Sequence, residues 1–249
     1  MEKIYSLVSG KGGTGKTTSA INLAAALNQL GENTIVVDAN LSTPNIGLHL
    51  GASIVPVTLN SVLNDKAEIS EAIYEHPSGL KIIPSSLSIQ ELKKIKYGKL
   101  AEVIQQLRRF SKCIILDSSA GLGKETGSSI NAADEIILVT QAEMPAVTDA
   151  LKIAKLTEQL NKKIKGFILT RYKARRAEMP IENIIDMLEL PLLGIVPEDK
   201  KIQKSLSLKN PVVLTHPRSK ASLAYQKIAR KILGVEEKQG FLSWLLGLR

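Results

Sequence analysis

The sequence predicts an α/β fold of three layers, a mostly parallel twisted sheet with helices on both faces. Three observations predict it. Short apolar runs of strand length alternate with stretches of helical periodicity along the chain. The 249 residues, 44% hydrophobic and 23% charged, suffice to bury a large core. A Gly-rich loop also stands between the first apolar run and the first helix, where such sheets bind ligands.

The elements follow in order. Ile4–Val8 reads as a strand, and Ser19–Leu30 as a helix that stops at Gly31. Strands are expected at Thr34–Val37, Lys81–Ile83, Cys113–Leu116, Glu135–Val139, Gly166–Leu169 and Leu192–Ile195. Helices are expected at Leu59–Leu63, Lys99–Phe110, Val147–Leu160 and Ile181–Leu188. Ser88 and Glu91 have capping-box spacing and predict one more helix start. Ala224, Tyr225, Ile228, Ala229 and Ile232 mark a last helix, Ala221–Leu233, ended by Gly234. Strands separated by helices of this length pair in parallel and are covered on both faces. Residues 1–234 carry no internal repeat or linker and are expected to form one domain. Residues 235–240 read as a short polar link, and 241–249 as a terminal helix.

Composition excludes several classes. The balance is globular, not disordered. The single cysteine, Cys113, lies inside an apolar run, so no intramolecular disulfide forms. That agrees with a reducing, cytoplasmic setting. The N-terminus runs into the first strand without a signal-peptide pattern. No apolar run is long enough to span a bilayer. A net charge of +9 points to an anionic partner: nucleotide, nucleic acid or an acidic membrane face.

Gly10-Lys11-Gly12-Gly13-Thr14-Gly15-Lys16-Thr17-Thr18 fits the phosphate-binding loop pattern, with Gly10, Gly15, Lys16 and Thr17 in the required places. Gly12, Gly13 and Gly15 let the backbone turn so that successive N–H groups form an anion nest. The following helix adds the positive end of its dipole. Lys16 reaches the β- and γ-phosphates, and the Thr17 hydroxyl ligates Mg²⁺. A Gly-rich turn with incidental lysines is the plainer reading; the flanking strand and helix argue against it.

Lys11 narrows the reading. A lysine at the start of such a loop does not readily fold back onto its own nucleotide, but it reaches across a two-fold axis. The run from Gly10 to Thr18 resembles the deviant phosphate loop of the MinD/ParA family of dimerising ATPases, a P-loop fold. The resemblance extends from Met1 to about Leu233. It implies ATP with Mg²⁺ as ligands, a homodimer when ATP is bound, and contact of Lys11 with the partner's phosphate.

Val36-Val37-Asp38 and Ile115-Leu116-Asp117 each end an apolar run on an aspartate. A carboxylate there holds Mg²⁺ directly or through water beside Thr17; a helix cap or turn is the plainer role. Asp117 opens Asp-Ser-Ser-Ala-Gly, similar to the family's Asp-Ser-Pro-Ala-Gly segment. Ser119 replaces the proline, which predicts a less rigid loop. The family's Asp-x-Asp is here Asp38-Ala39-Asn40. By resemblance Asn40 stands where a second aspartate orients the attacking water. An amide carries no charge and is a poor proton acceptor, so slow or absent hydrolysis is expected. The sequence leaves open whether Asn40 is natural or an engineered change. Asn45, in Thr43-Pro44-Asn45-Ile46, matches a family segment close to the phosphates. Thr170 and Arg171 resemble the segment beside the adenine. Pro197, Glu198 and Asp199 resemble the segment on the base and ribose side.

As a helix, 241–249 places Phe241, Leu245 and Leu248 on one side, with Leu242 and Trp244 beside them. Nine helical residues span only about 14 Å, so they lie in a membrane interface and do not cross it. The MinD branch ends in such a membrane-targeting helix. The resemblance implies peripheral binding to an acidic membrane in the ATP-bound dimer and protein partners that regulate hydrolysis or are positioned. A tail packed on the protein's own body stays open. So does a ParA-like, DNA-binding partition ATPase, given the clusters Lys93-Lys94-Ile95-Lys96, Arg171–Arg176 and Lys200–Lys204. A nucleotide-locked scaffold is a third reading.

Overall fold

A computed structural model describes residues 2–92, 95–175 and 177–235. Its strands are β1 (Lys3–Ser9), β2 (Thr34–Ala39), β3 (Tyr74–Glu75), β4 (Lys81–Ile83), β5 (Cys113–Ala120), β6 (Glu135–Thr140), β7 (Lys163–Tyr172) and β8 (Leu192–Pro197). Among the described residues these eight form one sheet in the order β3-β4-β2-β5-β1-β6-β7-β8. Every pairing is parallel except β3 with β4.

Side chains alternate across each strand, and both sets are buried. Ile4, Val8, Ile35, Val37, Ile114, Leu116, Ile136 and Leu138 enter one core. Tyr5, Leu7, Val36, Ile115, Ile137 and Val139 enter the other. That is why these strands read as unbroken apolar runs. The first core is closed by α3 (Leu59–Leu63), α5 (Leu100–Gln106), α6 (Lys124–Ala132), α7 (Met144–Gln159) and α8 (Ile181–Leu188). The second is closed by α1 (Lys16–Gln29), α10 (Val212–Thr215) and α11 (Lys220–Leu233). Three further helices, α2 (Ile46–Leu50), α4 (Ile89–Leu92) and α9 (Lys200–Ser207), flank the carboxyl ends of the strands. Among the described residues no helix is long and apolar enough to cross a membrane.

Local chemistry sets the ends. Ser219 caps α11 by accepting the Ser222 N–H at 3.2 Å, and Gly234 closes it at φ 69°. Pro145 stands in the first turn of α7, so this helix begins at Met144, ahead of the expected Val147. The expected helix 99–110 is three pieces: 3₁₀ turns at Tyr97–Lys99 and Leu107–Arg109 enclose α5. The helix start expected at Ser88 is present as α4, although the Ser88 N–H and the Glu91 carboxylate turn to other partners than a capping box would give them. The Ser88 N–H goes to Ser86 Oγ at 3.1 Å, and Glu91 faces Lys66 at 4.0 Å. The box forms instead between Thr58 and Ser61, opening α3.

Candidate functional site

The phosphate loop joins β1 to α1. Gly15 is the residue before the helix, at φ 84°, a left-handed conformation that favours glycine. No side chain caps α1, so its first N–H groups remain available to an anion. Gly13 is also left-handed, at φ 79°, whereas Gly12 is not, and a Cβ there would meet nothing within 4 Å. The tight requirement lies at Gly10, whose Cβ would come 2.4 Å from Asp149 Cβ and 2.6 Å from the Asp149 carbonyl on α7. Three bonds hold the loop from outside. Thr170 Oγ1 is 2.5 Å from the Thr14 carbonyl, Gln141 Nε2 donates to the Gly13 carbonyl at 3.4 Å, and the Gly121 N–H donates to the Ser9 carbonyl at 2.9 Å.

Lys16 and Thr17 meet the end of β5. Lys16 Nζ lies 2.6 Å from Asp117 Oδ1 and also donates to the Ser118 carbonyl. Thr17 Oγ1 donates to Asp117 Oδ2 at 2.6 Å. Lys16 and Asp117 are both buried. Among the described residues no three His, Cys, Asp or Glu side chains group closely enough to hold a metal alone. A hydroxyl and one carboxylate beside a phosphate nest suit Mg²⁺, which keeps waters and binds through one or two carboxylates plus phosphate oxygens.

Asp38 stands directly opposite Asp117 in the β2–β5 register. Its carboxylate accepts the N–H groups of Asn45 and Ile46, each at 2.8 Å, and of Asn40 at 3.3 Å. Asp38 therefore anchors the loop after β2 and the start of α2. Burial, with Asp117 alongside, pushes its carboxyl well above the usual range, against the pull of those N–H groups and Lys16.

The Asn40 side chain is bonded to Thr43. Its Nδ2 donates to the Thr43 carbonyl at 2.5 Å, and its Oδ1 accepts from Thr43 Oγ1 at 3.0 Å. Asn45 Nδ2 also reaches the Thr43 carbonyl, at 2.7 Å. Glu125 on α6 spans the two loops by accepting from the Ser42 N–H and hydroxyl, both at 2.7 Å. Ser119 does not leave its segment loose: β5 continues to Ala120, and the Ser119 hydroxyl meets Thr126 Oγ1 at 3.0 Å. Lys11 Nζ sits 3.1 Å from Glu143 Oε2 of its own chain.

A cleft of about 260 Å³ continues from the phosphate loop. Gly15, Thr18, Thr170, Arg171, Pro197, Glu198 and Asp199 line it, so the segments named by resemblance converge. Asp199 is committed to backbone. It caps α9 through the Lys201 N–H at 2.9 Å and accepts the Ala221 N–H at 3.1 Å. Tyr225, Gln203 and Leu206 also line the cleft, and sequence reasoning missed them there. Tyr225 read only as a core position of α11; its hydroxyl meets Ser19 Oγ at 3.1 Å.

The linker residues 236–240 and the membrane residues Phe241, Leu242, Trp244, Leu245 and Leu248 lie outside the described residues, as do Lys93, Lys94 and Arg176. Lys96 and Lys99 share the Asp65 carboxylate, at 2.7 and 2.5 Å.

Comparison with known proteins agrees with this geometry. The family model for the CobQ/CobB/MinD/ParA nucleotide binding domain matches residues 5–212. An uncharacterized ATP-binding protein of Methanocaldococcus jannaschii is 39% identical over 95% of this chain and 92% of its own. The septum site-determining protein MinD of Synechocystis is 32% identical over 94% of this chain and 90% of its own. The solved structure of Pyrococcus horikoshii MinD complexed with Mg-ADP superposes with a TM-score of 0.90 at 36% identity, covering 96% of this chain and all of that one. With the phosphate loop, strand-end carboxylate and adjoining cleft in place, the chain belongs to the MinD/ParA group of nucleotide-binding P-loop proteins.

Proposed function

We propose that this chain is a MinD-like ATPase that dimerises on binding ATP and then associates with an acidic membrane through residues 241–249, in the service of spatial positioning. The observation that carries the reading is the junction of the phosphate loop with β5, where Lys16 and Thr17 meet Asp117 at 2.6 Å. In this reading Lys16 exchanges its carboxylate and carbonyl partners for phosphate oxygens, joined by the loop N–H groups. Thr17 and Asp117 would hold Mg²⁺, with Asp38 as a further carboxylate, acting directly or through water, that also orders the neighbouring loop. Bound Mg²⁺ neutralises charge on the phosphate oxygens. Thr170 and Arg171 flank the adenine, and Pro197, Glu198 and Asp199 form the base and ribose side. Lys11 leaves Glu143 to act on the partner's nucleotide. An exposed ion pair of this kind is worth only about 0–1 kcal/mol, so the exchange is inexpensive.

Dimerisation couples to the membrane by avidity. One short helix binds lipid marginally, and two on one dimer gain roughly 10²–10⁴ in avidity. Hydrolysis separates the subunits and frees the tails, and protein partners set its rate. A second reading, a nucleotide-locked scaffold, rests on the bonding of Asn40 to Thr43, which supplies no base for the attacking water.

The test is co-sedimentation with acidic liposomes in ATP or ADP, comparing the full chain with one ending at Gly234. ATP should drive the full chain, and not the shortened one, onto the vesicles. If both stay in solution and ATP promotes binding to duplex DNA, a ParA-like partition ATPase replaces this reading.

A further inference from the structure

At the end of the sheet opposite the phosphate loop, Lys3, Lys163 and Lys165 surround a single carboxylate. Their Nζ atoms lie 3.6, 3.2 and 3.7 Å from the oxygens of Glu135. Glu135 is only 4% exposed. One buried carboxylate does not balance three ammonium groups, so the local charge is positive. The excess extends along the rim. Lys231 donates to the Leu192 carbonyl at 2.6 Å, Lys162 spends its donors on the Asn131 and Ala133 carbonyls, and Lys112 is exposed before β5. None of these contacts cancels a charge. Asp134 on the same rim is already paired with Arg108 at 2.7 Å. Glu2, beside Lys3, and Glu32, Glu158 and Glu189, which end loops or helices there, offset part of this charge.

The chain leaves the described fold on this same rim. Helix α11 runs back along β8, and its last turn reaches the start of that strand through Lys231. Val235 follows, exposed, and the chain continues into 236–249. That segment has Lys238 and Arg249 against Glu236 and Glu237, so it supplies apolar side chains but no net charge. Phe110 and Leu30 are exposed on the rim as well.

We propose that the amino-terminal rim of the sheet, centred on Lys3, Lys163 and Lys165, is a docking surface for an acidic lipid bilayer. The inference rests on the membrane reading of 241–249 and adds what that segment lacks. The tail inserts, and the folded body supplies the attraction to anionic headgroups, which acts within a Debye length of about 8 Å at physiological ionic strength. The phosphate loop, at the far end of the strands, then faces away from the bilayer.

The experiment uses the full chain with ATP and vesicles of phosphatidylcholine with or without phosphatidylglycerol. A triple variant, Lys3→Gln, Lys163→Gln and Lys165→Gln, should lose affinity for the mixed vesicles by on the order of tenfold to a hundredfold, in a salt-dependent way. Its binding to phosphatidylcholine alone and its ATP-dependent dimerisation should persist. Glu135→Gln removes the opposing charge, keeps every lysine and should bind mixed vesicles more tightly, which guards against misfolding of the triple variant. Unchanged binding in both variants, with tail deletion still abolishing it, overturns the rim and leaves the membrane reading standing. A full chain that binds neither vesicle overturns both. Loss of duplex-DNA binding with intact vesicle binding reassigns the rim to nucleic acid.

Discussion

Asn40 carries most of the chemical consequence at the residue scale. As an amide it donates to one Thr43 group and accepts from another. An aspartate would keep the second bond and set its carboxylate against the Thr43 carbonyl. Asn40→Asp should therefore lower the stability of the nucleotide-free protein by about 1–3 kcal/mol, read by denaturant unfolding. It should also raise ATP turnover by about 10²-fold, read by phosphate release, because a proton acceptor then stands near the water. If stability falls and turnover stays absent with lipid present, the scaffold reading is favoured. Cys113 gives a second residue-scale prediction. Burial pushes its thiol up to about 12, so a thiol reagent at neutral pH should modify it only when denaturant opens the fold.

At the scale of elements, the loop between β1 and α1 is positioned by its neighbours. Gly10 packs against the α7 backbone, so Gly10→Ala should push loop and helix apart, lowering the melting temperature and weakening nucleotide binding. Gly12→Ala, with open space and ordinary backbone, should stay within about 0.5 kcal/mol of the parent in stability. The contrast, measured by thermal unfolding and nucleotide titration, separates glycines that fit from glycines that face the ligand. Thr170 ties the loop across to β7. Thr170→Val leaves the buried Thr14 and Thr140 carbonyls without this hydroxyl, at a cost of about 1–3 kcal/mol in unfolding free energy.

At the scale of the whole molecule, the two proposed sites lie at opposite ends of the sheet. The residues proposed to hold the nucleotide gather at the carboxyl ends of β1, β2, β5, β7 and β8, and the chain leaves the described fold at the amino ends. Among the described residues, every core position precedes Gly234. A chain ending at Gly234 should therefore melt at the temperature of the full chain and still dimerise with ATP, as light scattering would show, while losing vesicle binding.

The sequence by itself determined the layered α/β fold, the phosphate loop and Asp117 at a strand end. Each is a local pattern: an apolar run, glycines at fixed offsets, a carboxylate closing a run. It also held the short edge strand β3 and the helices α6 and α9, but not legibly. Tyr74–Glu75 is too short to have a period, Lys124–Ala132 contains Gly127 and few apolar residues, and Lys200–Ser207 is mostly polar. Only the tertiary structure decided which distant groups touch. Parallel pairing brings Lys16 to Asp117 across 101 positions, sets Asp38 opposite Asp117, and turns Tyr225 into the cleft. It likewise gathers Lys3, Lys163 and Lys165 around Glu135. Strand order and register come from packing both faces of the sheet at once, a non-local constraint that no window of sequence contains.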